Sequence, residues 1–114
     1  NIRFAFLESG CGWAPYWVHR LDDHLKNRKP GHTLASQLVR DGRIFFGCEP
    51  GEYHIPHVIA ELGEGCLLYS SDYPHGDSKW PETVRMIRDV PGVSESAQSK
   101  ILGENAAQFY GLAV

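Results

Sequence analysis

Cys66-Leu67-Leu68-Tyr69-Ser70-Ser71-Asp72-Tyr73-Pro74-His75 is the stretch that decides the fold of this chain. It opens as an apolar run with little alternation, the pattern of a strand buried on both faces in a parallel sheet. A strand is therefore expected over Cys66–Ser71, running straight into Asp72. A carboxylate set directly after a buried strand is held by rigid backbone. That placement suits a hard-cation ligand or a general base. Tyr73-Pro74 predicts a tight turn that aims His75 back towards the mouth at the strand ends. The plainer alternative is a loop with a surface histidine.

Working outward, two more runs have the same form. Arg43–Cys48 (RIFFGC) ends at Glu49, and Ile2–Leu7 (IRFAFL) ends at Glu8-Ser9. The latter is again expected to be a strand buried on both faces. Between the strands lie stretches with helical spacing. Pro15 opens one at its first turn. Trp17, Val18, Leu21 and Leu25 form its apolar stripe, opposite Arg20, Asp22, Asp23, His24 and Lys26. Leu34, Leu38 and Val39 form a second stripe, stopped by Gly42. His57–Leu62 reads as a short helix. Trp80-Pro81-Glu82 opens another, with Val84, Ile87 and Met86 facing inward. Ser94 caps the last, whose stripe is Ala97, Ile101, Leu102, Ala106 and Phe109, with Gly111 as its stop.

Strands alternating with helices predict an α/β fold of parallel strands joined by crossovers. In such folds the ligand site lies off the carboxyl ends of the strands. Glu8, Glu49 and Asp72 would then converge on one mouth. Converging carboxylates are costly unless a metal, a cationic substrate or a proton offsets them. The alternative is that each merely caps a following helix or faces water.

Composition narrows the function classes. The chain has 114 residues, with 11 Lys+Arg against 14 Asp+Glu and a net charge of −3. The acidic balance argues against a nucleic-acid binder. No apolar run approaches the roughly 20 residues that cross a bilayer. The three cysteines, Cys11, Cys48 and Cys66, form neither a disulfide framework nor a CxxC knot, so a reducing, cytoplasmic setting is expected. The chain carries no phosphate-cradling glycine loop, no GxSxG elbow, no HxH and no HExxH. Glu52, His54 and His57 could form a metal clip or a surface group. Gly10 and Gly12 permit close backbone approach, and Trp13 could wall a pocket.

Three stretches together carry a resemblance. The run from Ile2 through Glu8-Ser9-Gly10-Cys11-Gly12-Trp13-Ala14-Pro15-Tyr16-Trp17, with Arg20-Leu21-Asp22, resembles the amidohydrolase-related family of metal-dependent hydrolases. Ser71-Asp72-Tyr73-Pro74-His75 resembles that family's last-strand motif. Glu104-Asn105-Ala106 with Phe109-Tyr110 resembles its C-terminal helix. The family folds as a (β/α)₈ barrel and includes hydrolases and non-oxidative decarboxylases, such as aminocarboxymuconate semialdehyde decarboxylase. A barrel of this kind needs about 250 residues. The resemblance therefore implies that residues 1–114 are the C-terminal portion of one barrel, its strands six, seven and eight. The opening at Asn1 rather than Met agrees with a piece of something longer.

By the same resemblance, Asp72 ligates a divalent metal and shuttles a proton. Zinc is the first expectation, with manganese or iron as alternatives. His75 lines the mouth, Glu49 and Trp13 contact substrate, and Glu8 orients substrate or metal. The family's decarboxylases carry a histidine at the end of strand six, where this chain has Glu8. The first expectation is thus a hydrolase in which metal-activated water attacks a C–N or C–O bond of a small molecule. Decarboxylation is the alternative within the family, and a truncated, inactive domain is the alternative outside it. No nucleic-acid or membrane partner is expected, and the full-length protein could form a homo-oligomer.

Overall fold

A computed structural model describes residues 2–113. Three strands, β1 (Phe4–Phe6), β2 (Ile44–Cys48) and β3 (Leu67–Tyr69), form one parallel sheet in the order β1-β2-β3. The register pairs Phe6 with Phe46 and Phe46 with Leu67. Because side chains alternate along a strand, these three share one face of the sheet. Ala5, Phe45, Gly47 and Leu68 share the other.

Helices α1 (Ala14–Arg28) and α2 (Ala35–Arg40) link β1 to β2, and α3 (Ile55–Leu62) links β2 to β3 through a 3₁₀ turn at Glu64–Cys66. After β3 come α4 (Thr83–Arg88), α5 (Glu95–Ser99), a π-helical turn at Lys100–Glu104, and α6 (Asn105–Tyr110). The predicted alternation of strands and helices is present. The element ends differ by a few residues, as fraying termini do.

Local chemistry explains the stops. Gly42 takes φ +64° after α2, its amide donates to Val39 O, and the Arg43 amide donates to Leu38 O. That pair of bonds closes the helix end in a left-handed turn that glycine adopts without penalty. Ser94 Oγ accepts the Ala97 amide at 3.1 Å, as a helix cap should.

The core lies between the Phe46 face of the sheet and the helices. Val18, Phe46, Ile55, Val58, Leu67, Ile87 and Ile101 are fully or almost fully buried. On the opposite face, Phe45 meets Phe109 of α6 edge-on at 5.3 Å. The Asn105 amide group donates to Glu64 O and Leu67 O, both at 2.8 Å, and so anchors the start of β3.

Three expectations are corrected. β1 is not buried on both faces: Phe4 is 55% exposed and Leu7 60% exposed. Among the described residues β1 pairs on one side only, so no strand completes its outer edge. Asp22 is buried rather than solvated, because its Oδ1 accepts the Ser36 amide at 3.1 Å and caps the first turn of α2. In α4 the deepest residues are Thr83 and Ile87, while Val84 and Met86 are half-buried. Thr83 tolerates burial because its hydroxyl lies 2.6 Å from Tyr69 Oη.

Candidate active site at the carboxyl ends of the strands

All three strand-end acids face one mouth. Leu7, Glu8, Gly47, Cys48, Glu49, Ser70 and Asp72 line a cavity of about 90 Å³. An adjoining cavity of about 330 Å³ shares Glu49 and Asp72 and adds Pro50, Ser71, Asp77, Ser78 and Lys79. A larger cavity, about 570 Å³, lies at the junction of α1 and α2 and has no carboxylate in its lining. It is remote in sequence from every strand-end acid.

Backbone conformation sets the two outer acids. Glu8 and Asp72 have φ of 58° and 54°, and they alone do so among the described non-glycine residues. This left-handed conformation is costly for a residue with a Cβ, by about 1–2 kcal/mol. Strain of this kind concentrates at functional sites. Around Asp72 the loop is tied by its serines. Ser70 Oγ accepts the Asp72 amide and Ser71 Oγ accepts the Tyr73 amide, each at 3.3 Å. Ser78 Oγ donates to Ser71 O at 2.7 Å, which folds the loop back on the strand end. His75 Nδ1 lies 2.9 Å from Asp72 Oδ1, and the His75 amide donates to Asp72 O. The turn through Tyr73-Pro74 returns the imidazole to Asp72, but His75 lines neither cavity of the mouth.

Electrostatics record the convergence. The Glu49 carboxyl is pushed above its ordinary value, first by partial burial and then by the negative charges of Asp72, Glu52, Asp77 and Glu8. A dication or a cationic group at the mouth would relieve that repulsion. The donor set is all carboxylate oxygen, which suits a hard divalent ion. Among the described residues, however, no three His, Cys, Asp or Glu side chains are placed to hold an ion together. The acids fit a partial coordination sphere rather than a complete one.

Other candidates fall elsewhere. Trp13 does not line either cavity of the mouth. Its ring packs edge-on against Phe6, Trp17 and Phe46, at centroid distances of 5.3, 5.8 and 5.5 Å. Its indole N–H donates to the carbonyls of Ser9 and Gly10. It therefore braces the loop that leaves β1 from the α1 side. Cys11 is fully buried, and burial together with Glu52 drives its thiol far up, so it is no nucleophile. Burial likewise pushes Cys48 and Cys66 up to about 12. His54 and His57 do not join Glu52 in a clip; the His54 ring stacks beside Tyr53 instead.

Glu52 is the residue whose role the sequence did not disclose. Its Oε1 accepts the amides of Cys11 and Gly12, each at 2.9 Å. Its Oε2 accepts the Cys11 amide at 3.1 Å and the Glu49 amide at 3.2 Å. The loop is close-packed: a Cβ at Gly10 would stand 3.1 Å from Glu52 Oε1, and one at Gly12 would lie 2.8 Å from the His54 ring. The available signal was the close-packing loop Gly10-Cys11-Gly12, which shows that something approaches but not what.

Comparison with known proteins fits this arrangement. A family model described as amidohydrolase matches residues 3–112. No curated protein matches the chain by sequence. Among solved structures, 5-carboxyvanillate decarboxylase LigW from Sphingomonas paucimobilis matches at TM-score 0.66 and 22% identity, over 89% of this chain and 31% of its own. An amidohydrolase from Mycobacterium avium subsp. paratuberculosis matches at TM-score 0.76 and 21% identity, over 94% of this chain and 27% of its own. A dihydroxybenzoic acid decarboxylase from a Polaromonas species, with bound manganese and the inhibitor 2-nitroresorcinol, matches at TM-score 0.61 and 18% identity, over 87% and 31%. At these identities the likeness is one of fold, and this chain spans less than a third of each of those proteins. The match over residues 3–112 covers almost the whole sequence, strand-end acids included, and by it the chain belongs to the amidohydrolase family.

Proposed function

We propose that this chain supplies strands six to eight of a (β/α)₈ barrel, as one part of a single domain, and carries part of a metal-dependent hydrolytic site. The observation that carries this reading is the convergence of Glu8, Glu49 and Asp72 on one cavity at the carboxyl end of a parallel sheet. Asp72 would hold the metal and Glu8 would orient it or the substrate. A divalent ion there would lower the pKa of a water and polarise the bond under attack, a C–N or C–O bond of a small molecule. The manganese-bound fold neighbour supports manganese beside zinc and iron as that ion.

The chain's own residues would do the rest. Asp72, in the loop three residues past the end of β3, takes the proton from the attacking water. His75, whose Nδ1 lies 2.9 Å from Asp72 Oδ1, fixes the carboxylate's orientation and gives the proton a way out. Glu49, which lines the same cavity as Asp72 and Glu8, contacts substrate.

The likeness in fold to two decarboxylases supports a second reading within the family, cleavage of a C–C bond with release of carbon dioxide. Metal analysis and turnover of the intact protein test the first reading. Asp72→Ala should remove bound metal and activity together; unchanged metal content would sink it. Products from a panel of aromatic carboxylic acids and their esters and amides separate the two chemistries. Carbon dioxide release would select the second.

A further inference from the structure

We propose that Glu52 is the positioning residue of this mouth: its one carboxylate ties the loop leaving β1 to the loop leaving β2, and so sets Glu8 and Glu49 against each other. The inference rests on the metal-dependent reading above. Glu8 lies two residues before Gly10, and Glu49 opens the β2 loop. Neither loop bonds to the other by backbone pairing past the strand ends. Their register there is set by the amides of Cys11, Gly12 and Glu49, all donated to Glu52.

Three features make this more than a surface contact. Both carboxylate oxygens are used, which fixes the plane of the group as well as its position. The partners lie 40 and 41 residues away on one side and three residues away on the other, so Glu52 bridges two separate elements. Gly10 is shaped to it as well: a Cβ there would stand 3.1 Å from Glu52 Oε1. The Glu52 carbonyl also accepts the amide of Ile55, the first residue of α3, at 3.4 Å. Its side chain and backbone therefore lock the β2 loop, the β1 loop and a helix into one unit.

The test uses the intact protein with manganese(II) as probe, read from the paramagnetic resonance signal of the free ion. Glu52→Ala should raise the manganese dissociation constant by about tenfold or more, the usual effect of losing a group that orients ligands. Glu52→Gln keeps one acceptor oxygen and should lose less. Asn105→Ala serves as a structural control at the opposite end of the sheet; it should lower the melting temperature and leave the dissociation constant alone. Hydrogen exchange supplies a second readout: in Glu52→Gln the amides of Cys11, Gly12 and Glu49 should speed up together.

Wild-type manganese affinity in both Glu52 variants, with binding lost in Asp72→Ala, would overturn this inference alone. Unaltered exchange at the three amides would overturn it as well. Manganese binding that is absent from the wild type, or indifferent to Asp72→Ala, would overturn the metal reading and this inference with it.

Discussion

Glu8 and Asp72 leave β1 and β3 in the same left-handed conformation, at φ 58° and 54°, on either side of β2. The central strand ends differently: Glu49 has no such φ, and its amide is held by Glu52. The mouth is thus flanked by two strained carboxylates with a tethered one between them.

That pairing separates backbone cost from charge cost. Glu8→Gly should be more stable than Glu8→Ala by about 1 kcal/mol, because both remove the carboxylate but only glycine accepts φ 58° freely. Denaturant midpoints of the two variants measure the difference. Equal midpoints would show that Glu8 is not strained.

The Glu49 carboxyl, raised by burial and by its acidic neighbours, gives a pH dependence of definite sign. Below its ordinary value of 4.5, Glu49 is protonated in both folded and unfolded chains and contributes nothing. As pH rises through 4.5 and then through the higher folded-state value, ionisation favours the unfolded chain. Glu49→Gln should therefore raise the melting temperature at neutral pH, with the gain vanishing in acid. A gain that grows in acid would refute the electrostatic account.

How far the sequence discloses this molecule depends on the range of each signal. The strands were legible because an apolar run followed by an acid is a local pattern. Asp72-Tyr73-Pro74-His75 was legible as a turn for the same reason. Glu52 was not, because its partners Cys11 and Gly12 lie about 40 residues away and differ in no residue type from ordinary loop positions. Asp22 falls on the polar side of the helical pattern and Thr83 is absent from the apolar stripe because periodicity sorts by polarity, whereas each is buried through one specific hydrogen bond. Trp13 was read from its proximity to the first strand's end. The aromatic cluster of Phe6, Trp17 and Phe46 draws it to the α1 side instead.

Asn105 tests the division between the stability end of the sheet and its functional end. Its side chain is buried and donates to two carbonyls, Glu64 O and Leu67 O. Asn105→Ala leaves both acceptors short of a partner and should cost about 1–3 kcal/mol. Chemical unfolding measures this. The φ strain at Glu8 and Asp72 lies at the other end of the strands and should not change, so the Glu8→Gly gain should add to the Asn105→Ala loss without coupling.

The sheet's edges give the last prediction. Within the described residues β1 and β3 each pair on one side only, and Phe4 and Leu7 stand exposed beside the open edge of β1. An unpaired parallel edge offers backbone donors and acceptors to any other strand, and natural proteins blunt such edges with charge. Arg3 is the only charge within the Ile2–Leu7 run, and its guanidinium is turned away to Phe109 O at 3.3 Å. The 114-residue chain on its own should therefore associate as its concentration rises, and sedimentation velocity should show this. Phe4→Lys places a charge on the edge and should shift the balance to monomer. A wild-type chain that stays monomeric at every concentration would show that the β1 edge is protected by something other than pairing.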